Sequence, residues 1–400
     1  MPQWPISPII YYTLDHQKPT ISRSTPCTDG DAIKLDAIPK YHPWDLCGYN
    51  VTDDTDERRQ ESLKTLRNLL KSIDGQKVTL IGDTMLDRYH HGFANNLNST
   101  APVPVLKITH SEESPGASAH IAIGLSSFGM KVSFHTALGD DSEGESIIST
   151  LKEFNISTDK VSIIPSRETL TKIRFFGSRE SLLDRGQILL QADRGTNEPV
   201  GDAISSQLAS SAIEDLDDSC ALVISDYDKG VVTTEESLNL ISRANKIGIP
   251  VIVDPKLTGL EKSRGASVVI FEKRGMSLLA RRIGLDIEET AQNMLIEYSW
   301  EGILVLGGIN GVQLYQRDSE SILIPCMAPA AEQQIGMHDA AATSLAAALG
   351  SGLSLYDAAL LASAACECVL SARTAKEYID RDTLGLWLDE LSWQMRISDR

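Results

Sequence analysis

Residues 333–350 read QQIGMHDAAATSLAAALG, a polar loop that runs into an almost unbroken series of alanine and leucine. These are strong helix formers, and Gly350 and Gly352 end the series, so the stretch predicts a helix. The first turn of a helix leaves backbone N–H groups unpaired and carries partial positive charge, a combination that binds anions such as phosphate. Gly336 lets the backbone approach an anion closely, and Asp339 adds a carboxylate beside it.

Asp339 is open to two interpretations. Aspartate is a favoured residue at helix N-termini, so an alanine-rich helix after an aspartate is typical of many proteins with no chemistry at that point. The same arrangement also suits phosphoryl transfer, because the amides of residues 336–339 would stabilise phosphate charge and Asp339 would accept the proton of an attacking hydroxyl group. The rest of the chain is needed to choose between them.

The bulk composition bounds the class of protein. The chain has 400 residues, of which 42% are apolar and 23% charged, as is typical of a soluble globular protein with a large core. Its net charge is −18 and no basic cluster interrupts the acidic surplus, so the sequence predicts neither nucleic acid nor an anionic membrane as a partner.

The cysteines and the N-terminal residues predict the cellular compartment of the protein. The six cysteines include no C-x-x-C pair and no grouping with histidine at zinc spacing, which indicates free thiols in a reducing compartment. The N-terminus lacks the basic and apolar regions of a secretory signal, and no apolar run reaches the ~20 residues that span a bilayer. We therefore expect a cytoplasmic protein.

The pattern along the chain predicts two parts. Residues 1–60 lack periodicity and are expected to form a partly irregular N-terminal extension. In residues 61–400, short apolar runs alternate with helical patterns, which predicts a three-layer α/β domain with a mostly parallel central sheet flanked by helices. Two further stretches, near 88–110 and 169–193, predict short strands without helices between them, and we expect these to form a small β lid over the ligand end of the sheet.

The individual elements follow from the same pattern. The predicted strands are 77–83, 131–137, 220–225, 250–253, 267–271, 302–306 and a hairpin near 311–325. The predicted helices are 62–73, 118–129, 234–247, 285–298, 338–350, 354–371 and 382–394.

Short motifs carry a family resemblance. No G-x-G-x-x-G follows a strand and no G-x-x-x-x-G-K-[ST] is present, which argues against a standard dinucleotide fold and a P-loop NTPase. A different series occurs in order: GDTMLDRY (82–89), APVPV (101–105), PGA (115–117), SDYDKG (225–230), DPK (254–256) and GMHD (336–339). Over roughly residues 75–395 this series resembles the ribokinase-like PfkB carbohydrate kinases. Within them it is most similar to the heptose-7-phosphate kinase domain, which other proteins carry joined to an adenylyltransferase; we expect no such domain after residue 395.

The resemblance implies a fold, a reaction and ligands. It implies a ribokinase-like α/β fold and an ATP- and Mg²⁺-dependent kinase that phosphorylates a hydroxyl group of a heptose phosphate or a related sugar. Asp339 would be the catalytic base, and the amides of Gly336, Met337 and His338 would form the anion hole. Such kinases often dimerise through the lid, so the resemblance also implies a homodimer.

Further site residues are assigned by the same resemblance. The substrate-binding set would be Asp83, Asp87, Gly116, Ala117, His120, Lys172 and Arg174. The phosphate and nucleotide side would hold Asp226, Lys229, Asp254, Lys256 and Gly307. Taken without the resemblance, the aspartates are as typical of strand-end turns, and the two lid cations of ordinary exposed strand charge. The sequence identifies no metal ligand.

Several positions depart from the family pattern. The family's Gly-Ala-Gly-Asp loop reads GMHD at 336–339, so histidine replaces a glycine; if that position needs a positive φ, the cost is about 1–2 kcal/mol. The sugar loop Gly-Gly-Ala-Ala-Asn reads GASAH at 116–120, and the Asn-x-x-Glu motif reads EKRG at 272–275. A Thr-Arg or Thr-Lys pair reads Leu306-Gly307, and Gln191 replaces a lid arginine. These changes support a second hypothesis, a catalytically impaired kinase fold that binds ligands, regulates or acts as a scaffold.

Overall fold

The computed structural model describes residues 54–178, 187–196, 198–328, 334–372 and 378–398. Most of the predicted N-terminal extension therefore lies outside the described residues. Within the described residues the first helix begins at Asp54 and takes in the charged run before residue 60, so it starts earlier than the predicted helix 62–73. Its apolar side packs into the core, which includes Leu66 and Leu70.

The elements alternate between strands and helices as expected for an α/β protein. The strands are β1 (Lys77–Gly82), β2 (Thr84–Leu97), β3 (Pro104–Ala117), β4 (Lys131–Gly139), β5 (Val161–Ile164), β6 (Thr171–Ser178), β7 (Gln187–Arg194), β8 (Ala221–Ser225), β9 (Val251–Asp254), β10 (Val268–Glu272), β11 (Gly302–Leu306), β12 (Val312–Gln316) and β13 (Ile322–Ile324). The helices are α1 (Asp54–Ser72), α2 (Ser118–Ser127), α3 (Ser142–Glu153), α4 (Asp202–Asp215), α5 (Thr234–Ile247), α6 (Lys273–Ile283), α7 (Ile287–Glu297), α8 (Met337–Gly350), α9 (Leu355–Ser371) and α10 (Arg381–Ser398).

The described strands form two sheets. The large sheet has nine strands in the order β13-β12-β11-β10-β9-β8-β1-β4-β5; its strands from β11 to β5 run parallel, and only β12 and β13 pair antiparallel. One buried apolar cluster involves α1, α2, α8, α9 and α10, and a second involves α4, α5, α6 and α7. The predicted three-layer architecture is therefore confirmed.

The second sheet is the predicted lid. Its four strands have the order β3-β2-β6-β7, with β2 and β6 parallel and the outer pairs antiparallel. Asp83 alone separates β1 from β2, so the chain passes from the large sheet into the lid at the carboxyl end of β1. The parallel strands β1, β8, β9 and β10 all end at this edge, which is where open α/β sheets bind ligands.

Two helices approach each other closely near this edge. α2 and α8 pack together, and a Cβ atom on Gly124 of α2 would lie only 2.8 Å from Thr343 Oγ1 of α8. Glycine therefore sets the spacing of these helices. None of the helices in the described part of the chain has the length and apolar character that a bilayer crossing requires.

Candidate active site

The N-terminus of α8 lies at the centre of the candidate site. Gly336 precedes the helix with φ at +92°, a left-handed conformation that favours glycine, and it offers no side chain to cap the helix. The first helical hydrogen bond runs from the Ala340 N–H to the Gly336 carbonyl oxygen (2.9 Å). The amides of Met337, His338 and Asp339 lie before that point, so the helix itself offers them no acceptor.

Asp339 presents a buried carboxylate in the first turn of this helix. The residue is 7% exposed, and among the described residues its Oδ1 atom has no hydrogen-bond partner. Its Oδ2 atom lies 3.3 Å from His120 Nδ1, and the His120 ring packs edge-on against Tyr378 with ring centroids 4.8 Å apart. Buried polar atoms normally have partners, so an unpaired carboxylate oxygen next to open amides indicates a place for a ligand hydroxyl group.

His338 does not carry the backbone strain considered from the sequence. It is the second residue of α8, and the positive φ of this loop falls on Gly336 instead. The ring turns toward the strand ends: Nδ1 donates to Asp254 Oδ1 (2.8 Å), and Nε2 lies 3.7 Å from Glu272 Oε1. Burial alone would lower the pKa of His338, but the two carboxylates outweigh it and raise the pKa to about 10. The ring is therefore an imidazolium at neutral pH.

Asp83 holds a loop of the large sheet. Its Oδ2 atom accepts the backbone N–H groups of Tyr227 (2.8 Å) and Lys229 (3.0 Å), and its Oδ1 atom accepts that of Val231 (3.2 Å). Burial raises the pKa of Asp83, and the amide donors work against that rise. Both carboxylate oxygens therefore already position the loop between β8 and α5.

Asp87 and Arg174 form a buried pair on the lid. Arg174 Nη1 donates to Asp87 Oδ1 (2.5 Å), and the guanidinium lies over the Tyr89 ring, 5.5 Å from its centroid. A Cβ atom on Gly116 would fall 2.2 Å from Asp87 Oδ2, so glycine makes room for this carboxylate. Lys172 is in register with Asp87 on the neighbouring strand.

The pKa of Asp87 also depends on Asp339, the candidate catalytic base. Burial raises the pKa of Asp87, and the Arg174 guanidinium lowers it. The Asp339 carboxylate raises this pKa further, and His120 lowers it. The lid aspartate and the α8 aspartate are therefore close enough to interact.

Ala117 is strained. It joins β3 to α2 with φ at 54° and ψ at −131°, a conformation that suits glycine. This is where the family's sugar loop has its second glycine, and such a conformation costs a residue with a Cβ atom about 1–3 kcal/mol. The loop keeps its path despite the substitution.

Asp226 is engaged in a buried ion pair. It is 2% exposed, and its Oδ1 atom accepts Lys262 Nζ (3.0 Å) and the Asp228 N–H (3.0 Å). Burial raises the pKa of Asp226 and Lys262 opposes that rise. Lys262, which the sequence did not single out, therefore fixes the 3₁₀ turn Leu260–Ser263 to the end of β8.

Tyr227 is a site residue that the sequence analysis missed. Burial raises the pKa of its hydroxyl well above the usual value, and the carboxylates of Asp339, Asp254, Asp87 and Asp83 add to that rise. Its ring carries Lys256 Nζ 4.0 Å from the centroid. Tyr227 therefore lies among the carboxylates of the site. Its place inside the SDYDKG motif was the available signal.

Gly307 and Glu272 end neighbouring strands at the same edge. Gly307 follows β11, and its N–H bonds to the Gly311 carbonyl oxygen (2.8 Å) in the turn before β12. Glu272 ends β10, and the His338 side chain and then the positive charges of Lys256 and Arg274 lower its pKa. Glu272 was noted only as an altered motif position, although it contacts the site.

The fold and the site together define a class of protein. A parallel sheet under a β lid, with carboxylates gathered at its carboxyl edge around an uncapped helix N-terminus, is the arrangement of a ribokinase-like phosphotransferase. The chain belongs to the pfkB family of carbohydrate kinases, whose family model, "pfkB family carbohydrate kinase", matches residues 76–380.

Named relatives and solved structures agree with this assignment. The bifunctional protein HldE of Paramagnetospirillum magneticum is 31% identical over 335 residues, which cover 82% of this chain and 67% of that protein. The HldE protein of Salmonella dublin is 31% identical over 309 residues, covering 75% of this chain and 61% of that protein. The chain thus spans about two thirds of the length of these relatives or less.

The fold resembles that of crystallised sugar kinases. The Arabidopsis thaliana ribokinase complexed with ribose and ATP superposes with a TM-score of 0.62 at 16% identity, covering 79% of this chain and 99% of that one. Phosphofructokinase-2 from Escherichia coli in complex with potassium also gives 0.62, at 18% identity, with 80% and 99% covered. At these identities the likeness establishes the ribokinase-like fold.

Proposed function

We propose that the chain transfers the γ-phosphoryl group of ATP to a hydroxyl group of a heptose phosphate or a closely related sugar phosphate. The observation that carries this proposal is the buried Asp339 carboxylate, whose Oδ1 atom has no partner among the described residues and which lies beside the open amides of α8. The similarity to HldE proteins supports the choice of sugar class.

The reaction follows from the positions of these groups. The sugar hydroxyl gives its proton to Asp339 Oδ1, and its oxygen forms a bond to the γ-phosphorus. The bond between that phosphorus and the bridging β–γ oxygen breaks, and its electron pair leaves with ADP. The amides of Met337, His338 and Asp339 stabilise the charge on the transferring group.

The lid would hold the sugar phosphate. A guanidinium group has five N–H donors, so Arg174 can bind a ligand oxygen while it keeps Asp87. Lys172, in register with Asp87, would add a positive charge for the substrate phosphate. His120 would orient Asp339 at its other oxygen. Asp83 would hold the loop that carries Tyr227 and, with acceptor capacity left on its two oxygens, would accept from a sugar hydroxyl group.

Magnesium would be bound mainly through the nucleotide. Among the described residues, no group of three or more His, Cys, Asp or Glu side chains comes together as a metal site, and Asp254 is engaged with His338. Mg²⁺ commonly binds through substrate phosphates and water with one or two carboxylates, and there it neutralises phosphate charge. The use of ATP would also agree with the expected cytoplasmic location.

The nucleotide would lie along the ends of β8 to β11. Lys256 and Lys229 supply positive charge there, and Gly307 leaves the end of β11 without a side chain. Asp226 and Asp254 would act by fixing the surrounding turns, since Lys262 and His338 already bind them.

A second function is favoured by the number of engaged carboxylates. Asp83, Asp87 and Asp254 each have a partner within the chain, and Ala117 strains the sugar loop. A protein that binds nucleotide or sugar phosphate without turnover would show these features. In that case the chain would be a catalytically impaired kinase fold with a binding, regulatory or scaffold role.

We also propose that the chain forms a homodimer through its lid. The lid strands and their connections expose large apolar side chains, which is typical of surfaces that contact another chain. These include Leu97, Val103, Val105, Ile108, Ile188 and Leu190. Sedimentation velocity of the full chain tests this: a dimer that dissociates in the variant L190E supports lid contact, and a monomer at micromolar concentration contradicts it.

Asp339→Asn tests the proposed reaction. We expect turnover on a panel of sugar phosphates to fall by about 10²–10⁴-fold, because the amide cannot take the hydroxyl proton. Thermal shifts produced by ATP and by the sugar phosphate should remain, since binding needs no turnover. Phosphorylated product is measured by mass spectrometry.

The matched control is Asp389→Asn, which changes an exposed carboxylate paired with Arg67 on the α1 side. It should leave turnover unchanged. Equal activity of Asp339→Asn and wild type would exclude Asp339 as the base. Thermal shifts in the wild type with no product from any sugar would select the second function instead.

A further inference from the structure

Tyr378, which lies shortly before α10, packs against the His120 ring of the candidate site. The two ring centroids are 4.8 Å apart and the ring planes are nearly perpendicular. Phe154, which follows α3, packs on Tyr378 as well, with centroids 5.3 Å apart. The Tyr378 hydroxyl group forms a hydrogen bond of 2.8 Å with that of Ser114, which is buried in lid strand β3. Tyr378 therefore connects the lid to the His120 side chain.

The His120 ring is enclosed by further groups. Its Nδ1 atom lies 3.3 Å from Asp339 Oδ2, and its side chain is only 12% exposed. A Cβ atom added to Gly336 would lie 3.0 Å from His120 Cε1, so the ring packs directly on the loop before α8. Because interiors are closely packed, removal of the Tyr378 ring would leave space into which the imidazole could turn. Such a turn would carry Nδ1 away from the carboxylate.

Tyr378 also lies close to the acids of the site. Burial raises the pKa of Tyr378 to about 12, the hydrogen bond with Ser114 opposes that rise, and the carboxylates of Asp87 and Asp339 add to it. The phenol group therefore keeps its proton, and it acts on its neighbours through packing and one neutral hydrogen bond.

We propose that Tyr378 is a positioning residue of the transfer reaction: it holds the His120 ring with Nδ1 toward Asp339 and thereby fixes the direction of the Asp339 carboxylate. The inference rests on the proposed function of Asp339 as the base. A neutral imidazole beside a carboxylate carries its proton on the nitrogen that faces the carboxylate, so Nδ1 is the donor and Nε2 remains an acceptor for a sugar hydroxyl group. A small displacement of a reacting group lowers the rate strongly, which is why the base needs this support.

The tautomer of His120 tests this positioning without turnover. In the full chain labelled with ¹⁵N-histidine, long-range ¹H–¹⁵N correlation spectra at about pH 8, where histidine is normally neutral, report which ring nitrogen carries the proton. The His120 signal is the one that His120→Asn lacks. We expect the proton on Nδ1 in the wild type and in Tyr378→Phe, which keeps the ring. In Tyr378→Leu we expect it to move wholly or partly to Nε2.

Turnover provides the second measurement. Tyr378→Leu should lower kcat by about tenfold or more with little change in the KM for ATP, whereas Tyr378→Phe should stay within about threefold of the wild type. In the His120→Asn background, adding Tyr378→Leu should have no further effect, because the residue through which it acts is gone. The control is Tyr298→Leu, which removes a ring stacked on Trp300 before β11 and should change neither readout.

Three results would overturn the proposal: a wild-type His120 with its proton on Nε2, the same tautomer in Tyr378→Leu as in the wild type, or an equal loss of kcat from Tyr378→Leu with and without His120→Asn. Should Tyr378→Leu fail to fold, Tyr378→Met, which has no ring, takes its place with the same expected results. A wild type that phosphorylates no sugar contradicts the proposed function and this use of Tyr378 with it, while the tautomer still shows whether Tyr378 orients His120.

Discussion

Among the residues of the site, Ala117 has a backbone conformation that suits glycine. This strain should lower the free energy of unfolding by a measurable amount. Ala117→Gly should relieve about 1–3 kcal/mol of strain. The variant should also lose about 0.4–1 kcal/mol of stability because glycine gives the unfolded chain more conformational freedom. Removal of the buried methyl group should cost about 0.8 kcal/mol more. Together these terms predict a change in the free energy of unfolding between about −0.8 and about +1.8 kcal/mol, as measured by urea denaturation.

The comparison for this prediction is Ala122→Gly in the middle of α2. Ala122 is fully buried in a regular helix, so the same change should cost about 2 kcal/mol from helix propensity and the lost methyl group. Equal destabilisation by both variants would show that Ala117 is not strained. The outcome matters for function, because Ala117 is in the loop that would face the sugar.

For individual residues, the sequence predicted where a side chain lies in its helix or strand better than it predicted which groups that side chain contacts. The place of Asp339 in the first turn of α8 followed from helix propensity alone. The strain suggested for His338 was misplaced, because Gly336 takes the left-handed conformation and leaves the histidine helical. The partners of Asp83 could not be read from the sequence, since they are backbone amides of a loop some 146 residues away.

The 3₁₀ turn Leu260–Ser263 shows how a short element supports the site. Lys262→Met should lower the free energy of unfolding by about 3–5 kcal/mol at pH 7, because it leaves the Asp226 carboxylate buried without its cation. The loss should shrink at acidic pH, where Asp226 takes a proton. The double variant Asp226→Asn, Lys262→Met should recover part of the stability. Chemical denaturation at two pH values measures all three.

An exposed lysine provides the control. Lys246→Met, in the last turn of α5, should change stability by no more than about 0.5 kcal/mol. If Lys262→Met were as mild as this control, the Asp226 pair would contribute little, and the turn would be held by other contacts. One of these is the Trp300 Nε1 donation to the Ser263 carbonyl oxygen (2.7 Å).

Strands and helices made of nearly unbroken apolar or alanine-rich runs were predictable, whereas several shorter amphipathic helices were missed. The buried parallel strands and the lid emerged from apolar runs. α3, α4, α6 and β5 were missed. α4 buries only Ser205, Leu208, Ala209 and Ala212, which leaves a weak apolar period. The start of α6 was taken for an altered motif, although Met276, Leu279 and Ala280 of this helix share one buried face.

For the whole molecule, His338 predicts how stability depends on pH. Its pKa rises from 6.5 to about 10 on folding, so its contribution is complete below pH 6.5 and is lost as the pH rises through about 10. The difference in unfolding free energy between wild type and His338→Gln should therefore be largest near pH 6 and smallest near pH 10. Because both proteins share every other titrating group, the difference isolates this residue. A difference that stayed constant over this range would exclude the raised pKa.

The close approach of α2 and α8 has a consequence for the site. Gly124 meets Thr343 one helical turn after His120 and Asp339 respectively, so the same packing that needs a bare glycine also fixes the separation of that histidine and that acid. A methyl group added at Gly124 would meet the Thr343 side chain, so that side chain or the two helices would have to shift and the separation of His120 and Asp339 would change with them. Attempts to re-engineer sugar preference should therefore leave this crossing untouched, even though it faces no ligand.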